Sequence, residues 1–546
     1  MSTIDFTIYD KMSPFEIKDA MINFAKENAQ KSAIALLNAG RGNPNWIATT
    51  PREAFFLFGQ FALNEARRSM DDRQAGLAGM PQKAGAAARL TAWLAMNTDA
   101  PGAAFLSSAV DYVVKTFKFD ADAFVFEMTD SIIGDNYPVP DRMLIHCEQV
   151  VHKYIMWAMC GDESAKTKFD LYAVEGGTAA MCYIFKSLMA NRILKKGDTI
   201  AMGTPIFTPY IEIAHLEDYA FEAVHIKADQ EHRFQYPEEE LKKLEDPKIK
   251  AFFVCNPGNP TSMAIDDETR KKLVNLVKTK RPDLIVLTDD VYGTFVPGFR
   301  SLMADLPFNT IGVYSFSKYF GCTGWRLGVI ALNEKNILDA KIAELPAKEK
   351  EALHNRYIPI VLEPEKLKMI DRIVADSRDV ALNHTAGLSL PQQVMMTFFS
   401  LSELMDGKKV YQKACMDICK KRVDELLEGL PLDVKPNPNF AYYYGTIDFE
   451  FWLRRYVGEE MVQWLKKNVH PLDLVYKLAR DHGIVLLNGG GFSAASYSVR
   501  VSFANLPDDV YDDIGRGVRA VARGYVEAYA AQGGKVDKIN LGAPAK

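Results

Sequence analysis

The chain has 546 residues, of which 48% are hydrophobic and 25% charged, and this balance is typical of a globular protein with two or three domains. Its formal net charge of −5 disfavours nucleic acid as a partner, and no apolar run approaches the roughly 18 residues of a membrane span. The first residues lack the basic and apolar stretches of a secretory signal, and the seven scattered cysteines fit a reducing compartment, so a cytoplasmic location is expected.

The first half of the chain combines a helical region with an α/β pattern. Residues 50–118 are rich in Ala, Leu, Arg, Met and Phe and carry few strand signals, so they are predicted to form a helical insertion. Residues 119–405 are assigned to a large α/β domain, because short apolar segments alternate with helical patterns from about residue 170 to 335. The predicted strands are Leu171–Val174, Thr199–Met202, Ala251–Cys255, Leu284–Thr288 and Ile311–Ser315.

The later part of the chain carries two further units. Residues 334–382 are charged and helix-forming, and they are predicted to be a helical insertion within the large domain. Residues 406–546 are assigned to a smaller α+β domain. Its predicted elements are a helix at about 411–429, strands near Phe440–Tyr444 and Val499–Phe503, and a closing helix near 508–531.

The run Ser315-Phe316-Ser317-Lys318 ends the last predicted strand of the sheet, and Arg326 follows eight residues after the lysine. A lysine at a strand end can direct its amine into a cleft, and neighbouring serines and an arginine can hold a phosphate. Pyridoxal 5'-phosphate needs this combination, because it forms an imine with a lysine and carries a phosphate. Taken alone, the run also fits a solvated surface.

A second candidate phosphate-binding element is the turn Gly176-Gly177-Thr178, which follows a predicted strand and begins a predicted helix. Backbone N–H groups at a helix N-terminus bind phosphate, and glycines allow close approach. A glycine turn by itself is more often structural. Together with Ser315, Ser317 and Arg326, it predicts a phosphate site.

Polar turns follow two neighbouring predicted strands. Asn259 is expected to hydrogen-bond the phenolic oxygen of the cofactor, although its segment also reads as a simple tight loop. Asp289 ends the next strand, where a carboxylate can pair with the ring nitrogen and keep the ring an electron sink. Tyr292 is placed to donate to the same phenolic oxygen. Phe207 follows another strand and either stacks on the ring or belongs to the core.

Together these segments resemble the fold-type-I pyridoxal-phosphate enzymes of the aspartate aminotransferase class. The motifs GGT, NPGNPT, DDVY and SFSK with its downstream arginine occur in the family's order, over most of residues 130–330 and again near Arg500. The resemblance implies a large α/β domain with a mostly parallel central sheet, a smaller α+β domain, and a dimer with shared sites. It also assigns residues 1–49 to an N-terminal segment that runs over the active site.

The resemblance further implies a role for each motif residue. Lys318 holds the cofactor and moves the proton, Asp289 binds the ring nitrogen, and Tyr292 and Asn259 bind the ring oxygen. The remaining implied cofactor contacts are Gly177, Thr178, Phe207, Ser315, Ser317, Arg326 and, from the neighbouring subunit, Tyr137.

Two arginines are candidates for the substrate carboxylates. Arg500 resembles the family arginine that clamps the α-carboxylate through two parallel hydrogen bonds, and the alternative is a salt-bridged core residue. Arg41 replaces an apolar residue of the family and would suit a dicarboxylic substrate, unless it is a surface arginine.

Three weaker substrate contacts follow from the same resemblance. Gly42 belongs to the segment that resembles the family's N-terminal cover of the active site, and Asn259 is expected to touch the substrate as well as the cofactor. Arg378 lies near the place where dicarboxylate-specific transaminases carry a side-chain arginine, but the surrounding sequence differs. No metal site is expected.

The surplus length, Arg41 and the segment GDNYPVPDR resemble the L-aspartate β-decarboxylases. That resemblance implies conversion of L-aspartate to L-alanine and CO2 through a quinonoid and a ketimine, with side aminotransferase activity. It also implies a homodimer that assembles into a larger homo-oligomer, and a 2-oxo acid that reactivates the enzyme after a transamination.

Two alternatives stay open from the sequence. One is a class I aspartate aminotransferase without productive decarboxylation. The other is a non-catalytic regulator or scaffold of the same fold. The second is disfavoured because the sequence has no basic helix-turn-helix region, and because Lys318, Asp289 and Arg500 are all retained.

Overall fold

A computed structural model describes residues 6–9, 12–32, 36–138, 141–161 and 167–536. The described chain contains fourteen strands, several of them only two residues long. They are β1 (Leu37–Asn38), β2 (Asp71–Asp72), β3 (Leu77–Ala78), β4 (Phe169–Val174), β5 (Thr199–Thr204), β6 (Glu222–Lys227), β7 (Ile249–Cys255), β8 (Ile285–Asp289), β9 (Thr310–Ser315), β10 (Gly328–Asn333), β11 (Tyr444–Asp448), β12 (Ile484–Val485), β13 (Leu487–Asn488) and β14 (Ser498–Ser502).

Helices make up most of the remaining ordered structure. In the described ranges, no helix combines the length and the apolar character that crossing a bilayer would require. The helices are α1 (Pro14–Ser32), α2 (Thr49–Arg67), α3 (Ala86–Ala95), α4 (Ala103–Phe117), α5 (Ala121–Ile133), α6 (Ile145–Ile155), α7 (Gly177–Ala190), α8 (Thr208–His215), α9 (Glu238–Lys242), α10 (Asp267–Lys280), α11 (Leu302–Asp305), α12 (Ile337–Ala343), α13 (Ala347–Tyr357), α14 (Met369–Ser377), α15 (Leu390–Met405), α16 (Val410–Gly429), α17 (Phe449–Tyr456), α18 (Glu459–Asn468), α19 (Asp473–His482) and α20 (Tyr511–Ala531).

The central sheet has seven strands in the spatial order β4-β10-β9-β8-β7-β5-β6. Strands β5 to β9 pair in parallel, while β10 runs antiparallel to both β4 and β9. The mostly parallel sheet predicted from the sequence is therefore confirmed. The register aligns both Val174 and Ser315 with Gly328, so the segments that follow β4 and β9 meet at the same edge of the sheet.

Two strands of this sheet were missed by the sequence prediction. Strand β6 lies at the edge and begins and ends with the exposed residues Glu222 and Lys227, so it lacks the apolar run of a buried parallel strand. Strand β10 is buried throughout. A short buried run of this kind cannot be distinguished from a helix segment by its periodicity.

Successive residues of β4 point to opposite faces of the sheet. Leu171 and Ala173 belong to the core that includes α6 and α15. Tyr172 and Val174 belong to the core that includes α7 and α14. Helices thus cover both faces, and the strand ends remain as the places where polar side chains can collect.

Both regions predicted as helical additions are mainly helical. Within residues 50–118, α2 to α4 are interrupted by the short antiparallel pair of β2 and β3. Helix α2 packs on α15, where the ring of Phe58 lies 5.7 Å from that of Phe398. Residues 334–382 contain α12 to α14, and α14 is tied to α7 by a 2.5 Å hydrogen bond from Ser187 to Asp376.

The C-terminal part contains a three-stranded sheet in the order β11-β14-β13, and α16 packs against α20. The N-terminal helix α1 packs against α19, and β1 pairs in parallel with β12. The strand predicted near Phe440–Tyr444 is wrong in its position, because β11 begins only at Tyr444. Tyr442 has a positive φ of 56°, which interrupts the extended backbone before that point.

Candidate active site

Lys318 follows strand β9, where the chain leaves the central sheet. Its side chain is partly exposed, whereas Ser315 and Ser317 are buried beside it. The Oγ of Ser315 lies 3.0 Å from the Oγ of Ser317 and 3.2 Å from the carbonyl oxygen of Leu327. The two hydroxyls therefore form a fixed pair next to the lysine.

The turn before α7 lies directly against Arg326. Gly176 has φ 88° and ψ 173°, a conformation that side-chain-bearing residues rarely adopt. A Cβ built on Gly176 would lie 2.7 Å from Nη2 of Arg326. The same Nη2 donates a 3.2 Å hydrogen bond to the carbonyl oxygen of Glu175. A glycine is thus required here for the guanidinium to approach the backbone.

These elements together meet the requirements of a phosphate. A Cβ on Gly177, the first residue of α7, would lie 3.8 Å from the Cβ of Ser315, so the helix N-terminus and the serine pair are adjacent. Thr178 and Arg326 are both exposed at this edge. Unpaired N–H groups, hydroxyls and a guanidinium are the donors that bind a phosphate, and they fit the phosphate of pyridoxal 5'-phosphate.

Asp289 ends β8 and is buried. Its carboxylate accepts hydrogen bonds from the hydroxyl of Tyr210 and, at 3.2 Å, from the N–H of Val291. Burial raises the pKa of Asp289, while both hydrogen bonds and the nearby amine of Lys318 act in the opposite direction. A buried carboxylate held by these hydrogen bonds fits the ring nitrogen of the cofactor. Sequence reasoning missed Tyr210, which lies on α8 without a local motif.

Tyr292, Tyr443 and Tyr444 form a buried cluster of phenols. The hydroxyl of Tyr292 donates a 3.1 Å hydrogen bond to that of Tyr444, and the rings of Tyr292 and Tyr443 lie 5.0 Å apart. Burial, and secondarily the neighbouring phenols, raise the pKa of Tyr292 and of Tyr443 well above the usual value. Both groups therefore remain protonated hydrogen-bond donors at neutral pH.

Arg500 lies on β14 and is only 1% exposed. Its Nη1 donates to Oδ1 of Asn259 at 3.0 Å, and its Nη2 donates to the carbonyl oxygen of Gly40 at 2.8 Å. The rings of Tyr444 and Phe492 flank the guanidinium, with their centroids 4.2 and 5.2 Å from its central carbon.

The surroundings of the Arg500 guanidinium suit the binding of an anion. In the ranges that the structure describes, no carboxylate pairs with it, and its buried Nε has no hydrogen-bond partner. A buried charge with only neutral partners is costly, and an incoming carboxylate would relieve that cost. The salt-bridged core arginine that the sequence left open is not found in the described part of the chain.

The N-terminal segment enters this cluster at Gly42. Its carbonyl oxygen accepts a 2.8 Å hydrogen bond from Tyr443. A Cβ built on Gly42 would collide with the hydroxyl of Tyr444 and lie 3.6 Å from Nζ of Lys318. The next residue back, Arg41, is exposed. The structure thus brings Gly42, Lys318 and the phenols together, with Arg41 at the solvent side.

Phe207 and Tyr137, both predicted to contact the cofactor, lie outside the cluster formed by Lys318, Gly42 and the phenols. Phe207 precedes α8, and its ring lies 5.4 Å from that of Tyr210, which contacts Asp289. Tyr137 is 63% exposed and packs edge-on against His384. Within the described contacts, Tyr137 does not reach Lys318.

Arg378 is engaged at the turn before α7. Its Nη2 lies 3.4 Å from a carboxylate oxygen of Glu175, and its Nη1 lies 3.3 Å from the hydroxyl of Tyr183. That hydroxyl in turn donates to Glu175 at 3.1 Å. The structure therefore gives Arg378 a carboxylate partner of its own, in contrast to Arg500.

Comparison with known proteins gives two kinds of result. The family model for class I and II aminotransferases matches residues 174–515. A Pseudomonas protein named bifunctional aspartate aminotransferase and L-aspartate beta-decarboxylase is 45% identical over 529 residues, which cover 97% of this chain and 99% of that protein. An aspartate aminotransferase of Sulfurisphaera tokodaii is 26% identical over 59% of this chain and 69% of its own length.

Among solved structures, an aspartate aminotransferase double mutant of Thermus thermophilus superposes with a TM-score of 0.54 at 16% identity. The superposition covers 93% of this chain and 96% of that one, and it supports the fold. The family match, the relative of nearly equal length and the residues around Lys318 agree with one another. The chain therefore belongs to the class I and II aminotransferases, enzymes that depend on pyridoxal 5'-phosphate.

Proposed function

We propose that this protein decarboxylates L-aspartate at its side-chain carboxylate, forming L-alanine and CO2, with aminotransferase activity as a side reaction. The Pseudomonas relative carries both activities in its name, and its 45% identity extends over 97% of this chain, including both helical additions. The similarity to that relative carries the proposal, and the structure supports a carboxylate substrate through Arg500, a buried guanidinium with only neutral partners among the described residues. It would offer a carboxylate site near Gly40, two residues before Gly42, whose Cβ position lies 3.6 Å from Nζ of Lys318.

Different residues at the sheet edge are proposed to bind different parts of the cofactor. In this proposal Lys318 anchors the cofactor through its amine, and Asp289 keeps the ring nitrogen protonated. Tyr292 and Asn259 hydrogen-bond the ring oxygen, and Phe207 covers one ring face. The phosphate is bound by Gly177, Thr178, Ser315, Ser317 and Arg326, and by Tyr137 of a neighbouring subunit.

The substrate is held by its two carboxylates. Arg500 is proposed to bind the α-carboxylate through parallel hydrogen bonds, replacing its present contacts with neutral acceptors. Arg41 is proposed to bind the side-chain carboxylate, since it is exposed next to Gly42 at the mouth of the cluster. Arg378 is the weaker candidate for that role, because Glu175 already neutralises it.

The placement of these side chains gives each of them a role in the proposed reaction. When bound, pyridoxal phosphate supplies an electron sink for the electron pair left by a broken bond of the substrate. Lys318, as a free neutral amine, removes the proton from the substrate α-carbon and returns it. Asp289 sustains the positive charge at the ring nitrogen. The buried phenols of Tyr292, Tyr443 and Tyr444 exclude water from the reacting carbons.

We further propose a homodimer that assembles into a larger homo-oligomer, and a cytoplasmic location. The 63% exposure of Tyr137 supports a contact with a second subunit, because large exposed aromatics are common at interfaces. A 2-oxo acid would restore the enzyme after each transamination. The proposed units are residues 1–49 as a cover of the active site, 50–118 and 334–382 as insertions, 119–405 as the large domain and 406–546 as the small domain.

The competing function is aspartate transamination without productive decarboxylation, which the name of the Sulfurisphaera relative favours. One experiment separates the two. Cofactor-loaded protein is incubated with L-aspartate and no added 2-oxo acid, and alanine and CO2 are measured together. We expect sustained formation of both in equal amounts. At most one equivalent of oxaloacetate per site, continuing only with added 2-oxoglutarate, would establish the competing function.

Lys318→Ala is the matching test of the site. We expect it to abolish alanine formation, because it removes both the anchor and the α-proton base. The control is Lys335→Ala, which removes an exposed lysine after β10. Unchanged decarboxylation by Lys318→Ala would rule out the proposed site.

A further inference from the structure

Tyr444 is a buried phenol at the centre of the candidate site. It begins β11, pairs in register with Ser502 of β14, and has one of the largest fully buried side chains in the molecule. Its backbone N–H donates a 2.6 Å hydrogen bond to the hydroxyl of Ser262, just after the loop that carries Asn259. The position of this side chain is therefore fixed by both the large sheet's loop and the small sheet.

Its ring and its hydroxyl have different neighbours. The ring lies 4.2 Å from the guanidinium carbon of Arg500, where the substrate α-carboxylate is proposed to bind. The hydroxyl accepts a 3.1 Å hydrogen bond from Tyr292 and would collide with a Cβ on Gly42. That Cβ position is 3.6 Å from Nζ of Lys318. The phenol thus lies between the carboxylate clamp, the cofactor's proposed ring partner and the lysine amine.

The tyrosine hydroxyls of the site differ in the acceptors to which they donate hydrogen bonds. Tyr210 donates to the carboxylate of Asp289, and Tyr443 donates to the carbonyl oxygen of Gly42 at 2.8 Å. Tyr292 donates to Tyr444. In the described part of the chain, the hydroxyl proton of Tyr444 has no acceptor of its own, so it remains available to the substrate.

The proposed decarboxylation requires such a proton. When the bond between the β-carbon and its carboxylate breaks, CO2 leaves and the electron pair stays with the rest of the substrate. A new C–H bond must then form at the β-carbon. Lys318 serves the α-carbon in the proposed function, so a second group near the same point can protonate the β-carbon without competing for that role.

We infer that Tyr444 is the proton donor to the β-carbon of the substrate. Its O–H bond breaks as the C–H bond forms, and the resulting phenolate recovers a proton from solvent, which replaces the one proton that the overall reaction consumes. The inference rests on the proposed function, since a plain transamination places no new proton on the β-carbon. It gives Tyr444 a role in one of the two activities only.

Tyr444→Phe tests this role because it removes one oxygen and keeps the ring against Arg500. In the cofactor-loaded variant, we expect alanine formation from L-aspartate to fall at least about 100-fold, within the usual range for loss of a general acid. Oxaloacetate formation in the presence of 2-oxoglutarate should stay within about threefold of wild type, since that reaction forms no bond at the β-carbon. The dissociation constant for succinate, an unreactive dicarboxylate, should also stay within about threefold.

Tyr236→Phe is the matched control, because it removes one oxygen from a buried tyrosine that packs with Phe252 in the core of the sheet, outside the candidate site. It should keep the wild-type ratio of alanine to oxaloacetate. Unchanged alanine formation by Tyr444→Phe would overturn the inference while leaving the proposed function intact. A parallel loss of both products with weaker succinate binding would also overturn it, because Tyr444 would then only position Arg500. If the wild-type protein forms no alanine, the proposed function itself fails.

Discussion

The hydroxyl of Tyr319 donates a 2.8 Å hydrogen bond to the carboxylate of Glu403, which ties the residue after Lys318 to helix α15. Glu403 is 4% exposed, and its burial raises its pKa from 4.5 to about 7. A carboxyl group with a higher pKa in the folded state binds protons more tightly there than in the unfolded chain. Its contribution to stability is complete below pH 4.5 and is lost as the pH rises through about 7.

We therefore expect Glu403→Gln to remove this pH dependence. Glutamine stays neutral and can still accept the hydrogen bond from Tyr319, whereas the wild-type carboxylate costs up to about 3 kcal/mol once ionised. Thermal unfolding of the cofactor-loaded protein should show a higher midpoint for the variant at pH 8 and nearly equal midpoints at pH 4. The control is Glu363→Gln, at an exposed glutamate paired with Lys366. An equal difference at both pH values would contradict the prediction.

Tyr210→Phe is expected to raise the pKa of Asp289 further, because the lost hydrogen bond favours the ionised carboxylate. Asp289 must be ionised to hold the ring proton, so the acid limb of the rate profile should move to higher pH. A shift of about one pH unit lowers the rate about tenfold below the limb. The measurement is the pH profile of oxaloacetate formation. Tyr236→Phe, at a buried tyrosine of the same sheet's core, serves as control, and an unmoved limb would refute the argument.

Arg500→Lys is expected to weaken aspartate binding while keeping the charge. Lysine lacks the planar pair of donors that binds a carboxylate, so the KM for L-aspartate should rise about 100-fold, equivalent to roughly 3 kcal/mol. The dissociation constant for succinate should rise with it, and cofactor binding should not change. Arg454→Lys, at a surface arginine paired with Glu459, is the matched control. A KM within twofold of wild type would remove Arg500 from the substrate site.

The residues that could be predicted from the sequence are those fixed by local structure. Asp289 ends β8, while Lys318 and Gly177 lie three residues after the ends of β9 and β4. The ends of these strands meet at one edge of the sheet. A strand pattern followed by a lysine, an aspartate or a glycine turn is therefore enough to place them.

Contacts between distant segments could not be predicted in the same way. Tyr210 and Asp289 are 79 residues apart, and Tyr292 and Tyr444 are 152 residues apart. Their side chains meet only because helix α8 and strand β11 pack beside the sheet edge. No periodicity or motif marks such a tyrosine, so it reads as an ordinary core residue until the fold is known.

Gly176→Ala should weaken cofactor binding, because the added methyl group both strains the backbone and collides with Arg326. The backbone at φ 88° and ψ 173° is accessible mainly to glycine, and forcing another residue into it costs on the order of 1–3 kcal/mol. A methyl group would also displace the guanidinium of Arg326, which lies 2.7 Å from that position. We expect the dissociation constant for pyridoxal 5'-phosphate to rise at least about tenfold, as about 1.4 kcal/mol of lost binding would produce. Absorbance titration of the apoenzyme measures this constant.

The matched control is Gly524→Ala in α20, where nothing lies within 4 Å of the added methyl and alanine favours the helix. Equal cofactor affinity in both variants would show that the turn before α7 does not bind the phosphate.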